Sequence, residues 1–102
     1  MTPYQVSPEA REDLDGIWLW VATRGSIAAA ERLLDSFLHA FRSLSHSPSV
    51  GVAVPRIGKP GTRRFPVGNY LIYYRPVGRT SIRVLRVLHG KRQQARAFRA
   101  KG

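Results

Sequence analysis

Hydrophobic residues recur at helical spacing through the first half of the chain. Ser7 suits a helix N-cap and Pro8 suits the first helical position, so a helix is expected to begin there. Its predicted buried stripe consists of Ala10, Leu14, Ile17, Trp18 and Val21. A second helix is predicted from Ile27 to about His46, with a stripe of Ala30, Leu33, Leu34, Phe37, Leu38, Phe41 and Leu44. The short turn between them predicts an antiparallel hairpin of helices.

The pattern changes to that of strands in the second half. Residues Tyr70–Tyr74 and Ile82–Leu88 are rich in aromatic and β-branched types, which suit a pleated surface. Gly68-Asn69 predicts a two-residue hairpin turn of type II′, because glycine tolerates the positive φ that this turn requires. A second break at Pro76–Arg79 predicts an antiparallel meander of three strands. Tyr4–Val6 is expected to add a further strand at the edge of the sheet.

Strict alternation along the last strand predicts two faces that are both largely apolar. One face would carry Ile82, Val84, Arg86 and Leu88, and the other Arg83, Leu85, Val87 and His89. The helical hairpin can cover one of these faces, so we expect the other to be covered only in part. An incompletely covered apolar face is a place where a partner can bind.

The connecting segments are expected to be irregular. Residues Ser47–Gly61 contain three prolines and three glycines, which predicts a loop with no regular element. Pro66 lacks a backbone donor, so its strand is expected to lie at an edge or to carry a bulge. After Gly90 the tail KRQQARAFRAKG has helical propensity and predicts a short terminal helix. These elements define a single domain spanning residues 1–102.

The predicted fold class is therefore α+β, in the order β-α-α-β-β-β. An N-terminal strand precedes an antiparallel helical hairpin packed on an antiparallel sheet, and a short C-terminal helix follows. The chain has no cysteine, and no window approaches the ~20 apolar residues of a membrane span. We expect a soluble, cytoplasmic protein with no membrane contact.

The charge is divided unevenly along the chain. The formal net charge is +11, yet residues 1–35 hold three arginines against six acids. Residues 36–102 hold fourteen lysines and arginines and no acid. The basic charge thus belongs to the predicted sheet and its loops, which favours a surface for polyanions or for an acidic protein segment. A solvated basic face that only keeps the protein soluble is the alternative.

Several kinds of site are excluded or disfavoured by spacing. His39 and His46 lie seven residues apart on one predicted helix, roughly 10 Å along its axis, which is too far to share a metal ion. Paired-carboxylate catalysis is disfavoured because no acid follows Asp35. The glycine spacing around Gly58 does not fit a phosphate-binding loop. No metal and no cofactor is expected.

One cluster of cations with a titratable base remains. Arginines could hold a phosphate while His89 acts as acid or base, as in a metal-free ribonuclease, and the cluster comprises Arg63, Arg64, Arg75, Arg86, His89, Lys91 and Arg92. The alternation places Arg86 and His89 on opposite faces, which weakens that interpretation. His89 could equally be a strand-end residue that hydrogen-bonds the backbone, and Arg86 a buried arginine paired with an acid of the first helix. Trp20 lies off the helical stripe, where it could anchor a partner or pack in the core.

Four segments resemble the ParE branch of the RelE/ParE superfamily of toxins from type II toxin–antitoxin pairs. They are SPEAREDLDGIWLWVATRGS, AAAERLLDSF, RRFPVGNYLIYYRP and IRVLRVLHGKR, and they occur in the family's order between about Tyr4 and Phe98. The resemblance implies a helical hairpin on an antiparallel sheet. It also implies an acidic ParD-like antitoxin that wraps and silences the toxin in a hetero-oligomer. Antitoxin or target contacts would fall on the cationic cluster, on Trp20, and on Arg96 and Arg99 in the tail.

The resemblance leaves the target open. ParE-like toxins poison DNA gyrase and block replication, whereas RelE-like toxins cleave messenger RNA in the ribosome. For the nuclease, Arg64 and Arg86 would match the arginines and His89 the terminal acid or base, but no tyrosine follows Tyr74 and no glutamate occurs in the predicted sheet. These departures favour a non-nuclease toxin with no catalytic residues, for which the resemblance implies DNA gyrase as the target. A non-toxic, basic nucleic-acid-binding module is a third interpretation. Direct binding of nucleic acid is less favoured than binding of a protein partner.

Overall fold

The computed structural model describes residues 3–55 and 59–90, which form two helices and a five-stranded sheet. The elements in chain order are β1 (Tyr4–Val6), α1 (Pro8–Arg24), α2 (Ile27–His46), β2 (Val52–Ala53), β3 (Arg63–Val67), β4 (Tyr70–Val77) and β5 (Ser81–His89). The strand order is β1-β5-β4-β3-β2. The fold is α+β as predicted. The predicted C-terminal helix lies outside the described residues.

The helix boundaries follow the capping signals in the sequence. The Ser7 hydroxyl accepts a hydrogen bond from the backbone N–H of Ala10 at 3.0 Å, and Pro8 occupies the first turn of α1. Ser26 caps α2 in the same way, accepting from the N–H of Ala29. Each cap satisfies one of the backbone donors that a helix leaves unpaired at its start. The predicted hairpin of two helices is confirmed.

The sheet is mixed rather than wholly antiparallel. Strands β2 to β5 pair antiparallel, and Gly68 has the positive φ of 58° that the predicted turn between β3 and β4 requires. Strand β1 joins the edge of β5 in parallel, aligning Tyr4 with Ile82. A parallel neighbour needs a long connection, and here both helices and strands β2 to β4 lie between β1 and β5 in the chain. The expected edge strand at Tyr4–Val6 is confirmed.

The segment Ser47–Gly61 contains a strand that the sequence did not predict. Residues Val52 and Ala53 form β2 and pair with Arg64 and Arg63 of β3. This pairing stops before Pro66, whose outer side therefore meets no strand among the described residues. Pro66 thus sits on the edge portion of its strand, as its missing backbone donor requires.

An irregularity in β5 overturns the strict alternation expected there. Tyr73 pairs with Arg86 but Tyr74 pairs with Val84, so Leu85 is an extra residue in the ladder, as in a β-bulge. Residues of β5 after the bulge therefore face the side opposite to the one that strict alternation predicts. Val87 consequently joins Ile82 and Val84 in the main core, and Leu88 faces the opposite side.

The main core fills the space between the helices and one face of the sheet. Its buried residues are Ala10, Phe37, Ala40, Phe41, Leu44, Ile72, Tyr74, Ile82, Val84 and Val87. A smaller cluster of Val54, Tyr73 and Leu88, with Leu71 against it, covers part of the other face. We call the side under the helices the helix face and the other side the far face. The expectation of one covered and one partly covered face agrees with this arrangement.

Candidate functional site

Arg86 is held by a carboxylate of α1. Its Nε and Nη2 atoms donate to Asp13 Oδ2 and Oδ1 at 2.7 and 2.9 Å, and the backbone N–H of Val87 donates to the same carboxylate at 3.0 Å. These hydrogen bonds to Asp13 raise the pKa of Arg86, against the opposing effect of burial. The sequence left open whether Arg86 belongs to a phosphate-binding cluster or pairs with an acid of the first helix. The structure shows the pairing with an acid of the first helix.

Ser7 and Asp13 hold the irregular part of β5 against α1. The Ser7 backbone N–H donates to the carbonyl of Val84 and its hydroxyl donates to the carbonyl of Leu85 at 2.9 Å. Strand β1 has ended at this point, so α1 supplies the partners that the exposed edge of β5 would otherwise lack. The bulge and the Arg86 ion pair are parts of one contact between helix and strand.

His89 lies on the helix face at the end of β5. Its ring meets Tyr70 edge to face at 5.3 Å, and Tyr70 meets Phe37 in the same manner at 5.5 Å. The Nδ1 atom of His89 is buried and has no hydrogen-bond partner within the described part of the chain. His89 therefore packs as an aromatic ring at the strand end, and among the described residues its Nδ1 does not make the backbone hydrogen bond that the strand-end alternative included.

The three residues that a nuclease would need are kept apart by the sheet. Arg64 pairs with Tyr73 across β3 and β4, and both side chains lie on the far face. His89 lies on the helix face, and Arg86 binds Asp13 at the edge of β5. The bulge precedes Arg86, so it leaves Arg86 and His89 on alternate sides. The structure does not bring Arg64, Arg86 and His89 to one site.

A cavity of about 290 Å³ opens between α1 and the ends of β4 and β5. Its walls are formed by Glu12, Asp13, Gly16, Ile17, Trp20, Tyr70, Val87 and His89. Trp20 is 49% exposed, and the guanidinium of Arg24 stacks on its ring at 4.7 Å. Trp20 is thus a cavity wall and not a core residue, which keeps it available as an anchor for a partner.

Arg63 has a structural role. Its Nη1 donates to the carbonyls of Ser49 and Gly51 at 3.2 and 2.6 Å, which ties β3 to the segment before β2. The Tyr74 hydroxyl lies nearby, donating to the Pro48 carbonyl and accepting from the Gly51 N–H, each at 2.8 Å. Burial raises the pKa of Tyr74, although the Gly51 hydrogen bond and the Arg63 charge oppose the shift.

The far face gathers the arginines that remain. Arg75 lies directly opposite Arg83 on neighbouring strands, and Arg64 lies one row away beside Tyr73. Arg64 and Arg75 were singled out from the sequence, but Arg83 was not. The alternation along β5 could have revealed it, since it placed Arg83 on the face opposite Ile82 and Val84. Lys91, Arg92, Arg96 and Arg99 lie outside the described residues.

Other kinds of site find no support in the described ranges 3–55 and 59–90. No three His, Cys, Asp or Glu side chains are grouped there as metal ligands. None of the helices described is long and apolar enough to cross a membrane.

Comparison with known proteins defines the class of protein to which this fold and surface belong. The family model of the ParE toxin of the type II toxin–antitoxin system, parDE, matches residues 4–94. Toxin ParE1 of Mycobacterium tuberculosis is 35% identical over 86 residues, which cover 84% of this chain and 87% of that protein. Toxin ParE1 of Caulobacter vibrioides is 30% identical over 89 residues, covering 87% and 90%. The chain is a type II toxin, and it belongs to the ParE toxin family.

Solved structures agree with this assignment at the level of the fold. A chain of the chromosomal ParDE toxin–antitoxin system from P. aeruginosa superposes with a TM-score of 0.71 at 19% identity, covering 86% of this chain and 95% of that one. A chain of the RelBE2 toxin–antitoxin complex from Mycobacterium tuberculosis superposes with a TM-score of 0.55 at 30% identity, covering 84% and 94%. The predicted resemblance to the ParE branch is confirmed.

Proposed function

We propose that this toxin poisons DNA gyrase, blocks replication, and is neutralised by an acidic ParD-like antitoxin that wraps around it. Membership of the ParE family supports the class of target, and the similar structures come from a ParDE system and a RelBE2 complex, which supports an antitoxin partner. The far face, with Arg64, Arg75 and Arg83 and no acid in its strands, is the surface that suits an acidic antitoxin segment.

One observation carries the choice of gyrase over messenger RNA. A metal-free ribonuclease needs cations on the reacting phosphate and an acid or base within hydrogen-bond reach of the same atoms. Here His89 is on the helix face, Arg64 is on the far face, and Arg86 is committed to Asp13. The separation of these three side chains supports a toxin that acts by binding a protein target and not by cleaving RNA.

Assays with purified DNA gyrase test the proposal. We expect the full-length protein to trap cleaved DNA during supercoiling, and we expect the cleaved species to disappear when the cognate antitoxin is added. A matched pair of variants, His89→Gln and His39→Gln, separates the two targets. If gyrase is undisturbed and ribosome-bound messenger RNA is cleaved by the wild type and by His39→Gln but not by His89→Gln, the protein is a RelE-like endonuclease and the proposal fails.

A further inference from the structure

Two arginines face each other across the far face of the sheet. Arg75 of β4 and Arg83 of β5 are direct cross-strand partners, so their Cβ atoms lie about 5 Å apart on the same side. Gln5 of β1 occupies the next position in the same row, and its Oε1 accepts a hydrogen bond from Arg83 Nη1 at 3.3 Å. The glutamine orients one guanidinium without neutralising it.

A third arginine extends this pair into the neighbouring row. Arg64 pairs with Tyr73, which precedes Arg75 by two residues and so shares its face. Arg64 lies close enough to the Tyr73 hydroxyl to oppose, by its hydrogen-bonding and its charge, the rise in the pKa of Tyr73 that burial causes. The backbone therefore holds three guanidinium groups on two adjacent rows of one surface.

No carboxylate balances this charge. All six acids of the chain belong to α1 or α2, and both helices cover the opposite face of the sheet. Asp13 of α1 is paired with Arg86, at the edge of β5 and away from Arg75 and Arg83. Like charges directly opposite one another destabilise a sheet. An external anion bound at Arg75 and Arg83 would offset this repulsion.

The surface suits a phosphate backbone better than stacked bases. The planar fork of arginine matches phosphate geometry and binds it through two parallel hydrogen bonds. Proteins that bind single strands also offer exposed aromatic rings for base stacking. Tyr73, the aromatic residue in the row of Arg64, is fully buried, and Trp20 of α1 lies on the helix face. Backbone contact without stacking is the mode that suits duplex DNA.

We propose that Arg75 and Arg83, with Arg64 beside them, bind the phosphate backbone of duplex DNA. The biological role of this contact rests on the proposed function, because the proposed target, DNA gyrase, holds duplex DNA. The binding of DNA by the three arginines does not itself require gyrase. Because an acidic antitoxin segment would cover the same arginines, DNA and antitoxin would compete for this face.

The test measures binding to duplex DNA alone. A fluorescein-labelled 20-base-pair duplex of mixed sequence is titrated with full-length protein, and anisotropy is recorded at several salt concentrations. The variant is the double substitution Arg75→Gln with Arg83→Gln. The matched control is Arg32→Gln with Arg42→Gln, which removes the same charge from two exposed positions on α2.

We expect the far-face double variant to bind at least roughly tenfold more weakly, with the slope of log K against log salt reduced by about 1.8, or ~0.9 for each lost phosphate contact. We expect the control to keep the wild-type slope. Equal losses in the two double variants would overturn the proposal, because they would report net charge and not a site.

Two further readouts keep the result interpretable. The far-face double variant should melt no lower than the wild type, because it removes a like-charge pair. A glutamate-rich peptide used as an alternative ligand should bind more weakly than the duplex. If binding of the peptide requires Arg75 and Arg83 but binding of the duplex does not, the surface is a polypeptide site and the DNA proposal fails. DNA binding that depends on these arginines with gyrase undisturbed would overturn the proposed target while leaving this inference in place.

Discussion

Asp13 makes three hydrogen bonds to β5, two to the Arg86 guanidinium and one to the N–H of Val87. The side chain of Arg86 is only 20% exposed and that of Asp13 only 13%, so each depends on the other for its hydrogen bonds. A single carboxylate thus fixes α1 at the point where β5 bulges and its edge is free. Arg86 thereby joins β5 to α1.

We predict that Asp13→Ala lowers the free energy of unfolding by about 2–3 kcal/mol, because it leaves the largely buried guanidinium of Arg86 and the backbone N–H of Val87 unpaired. Asp15→Ala is the matched control, since Asp15 is exposed on the same helix. Urea denaturation followed by circular dichroism measures both. If the two variants lose the same stability, Asp13 does not anchor the helix to the strand.

The loop before β2 should depend on the Tyr74 hydroxyl. Tyr74→Phe removes one hydrogen bond to the Pro48 carbonyl and one from the Gly51 N–H, and we predict a loss of about 1–3 kcal/mol in unfolding free energy. Tyr4→Phe is the control, because the ring of Tyr4 packs edge to face on Phe41 and is retained. Equal thermal melting of the two variants would contradict the prediction.

Gly51 gives an independent test of the same loop. A Cβ at this position would collide with the Tyr74 hydroxyl and lie 2.9 Å from the carbonyl of Arg64, which is backbone and cannot move aside cheaply. We therefore expect Gly51→Ala to melt at a lower temperature than Gly16→Ala, since a Cβ on Gly16 meets no atom within 4 Å. A larger loss at Gly16 would show that the loop adapts freely.

Alkaline pH should weaken the fold through two buried tyrosines. Burial raises the pKa of Tyr73 and Tyr74 above the ordinary value of 10.0. Above that pH the unfolded chain releases these protons before the folded chain does, so the unfolding free energy falls, by at most about 1.4 kcal/mol per pH unit for each tyrosine. Below pH 10 this contribution is fully present.

Unfolding free energies measured between pH 8 and pH 11.5 test this dependence. Tyr74→Phe should show a shallower decline than the wild type, whatever its stability at pH 8. A decline of the same steepness in both proteins would remove Tyr74 as a source of the effect.

The elements that sequence predicts well are those with local causes. The caps at Ser7 and Ser26, the helical stripe of α2 and the glycine turn at Gly68 each depend on residues a few positions apart. The alternation along β5 also predicted that Arg86 and His89 lie on different sides of the strand. Local periodicity alone weakens the nuclease interpretation, because it places the two residues on opposite sides of the strand.

The elements that sequence missed have distant causes. Strand β2 exists where Arg63 and Tyr74 hold the segment from Pro48 to Gly51 against β3. The bulge at Leu85 is held by Ser7, which lies 78 residues away in the chain. The far-face row of Gln5, Arg83 and Arg75 required the parallel pairing of β1 with β5, which no periodicity shows.

The antitoxin interface can be tested by reversing one charge on the far face and one on the helices. We predict that Arg64→Glu weakens binding of the cognate antitoxin by about 10- to 100-fold, or ~1.4–2.8 kcal/mol, since an acidic segment over the far face would meet a like charge. Arg32→Glu makes the same charge change on an exposed position of α2 and should alter affinity much less. Isothermal titration calorimetry measures both.

Arg86 is unsuitable for this comparison, although the sequence placed it in the same cluster. Reversing it would break the ion pair with Asp13 and mix a loss of stability with any loss of binding. Arg64 is free of that complication, provided that circular dichroism shows Arg64→Glu to be folded. If the two reversals weaken antitoxin binding equally, the interface lies away from the far face, and the antitoxin would then have to cover the helices or the cavity beside Trp20.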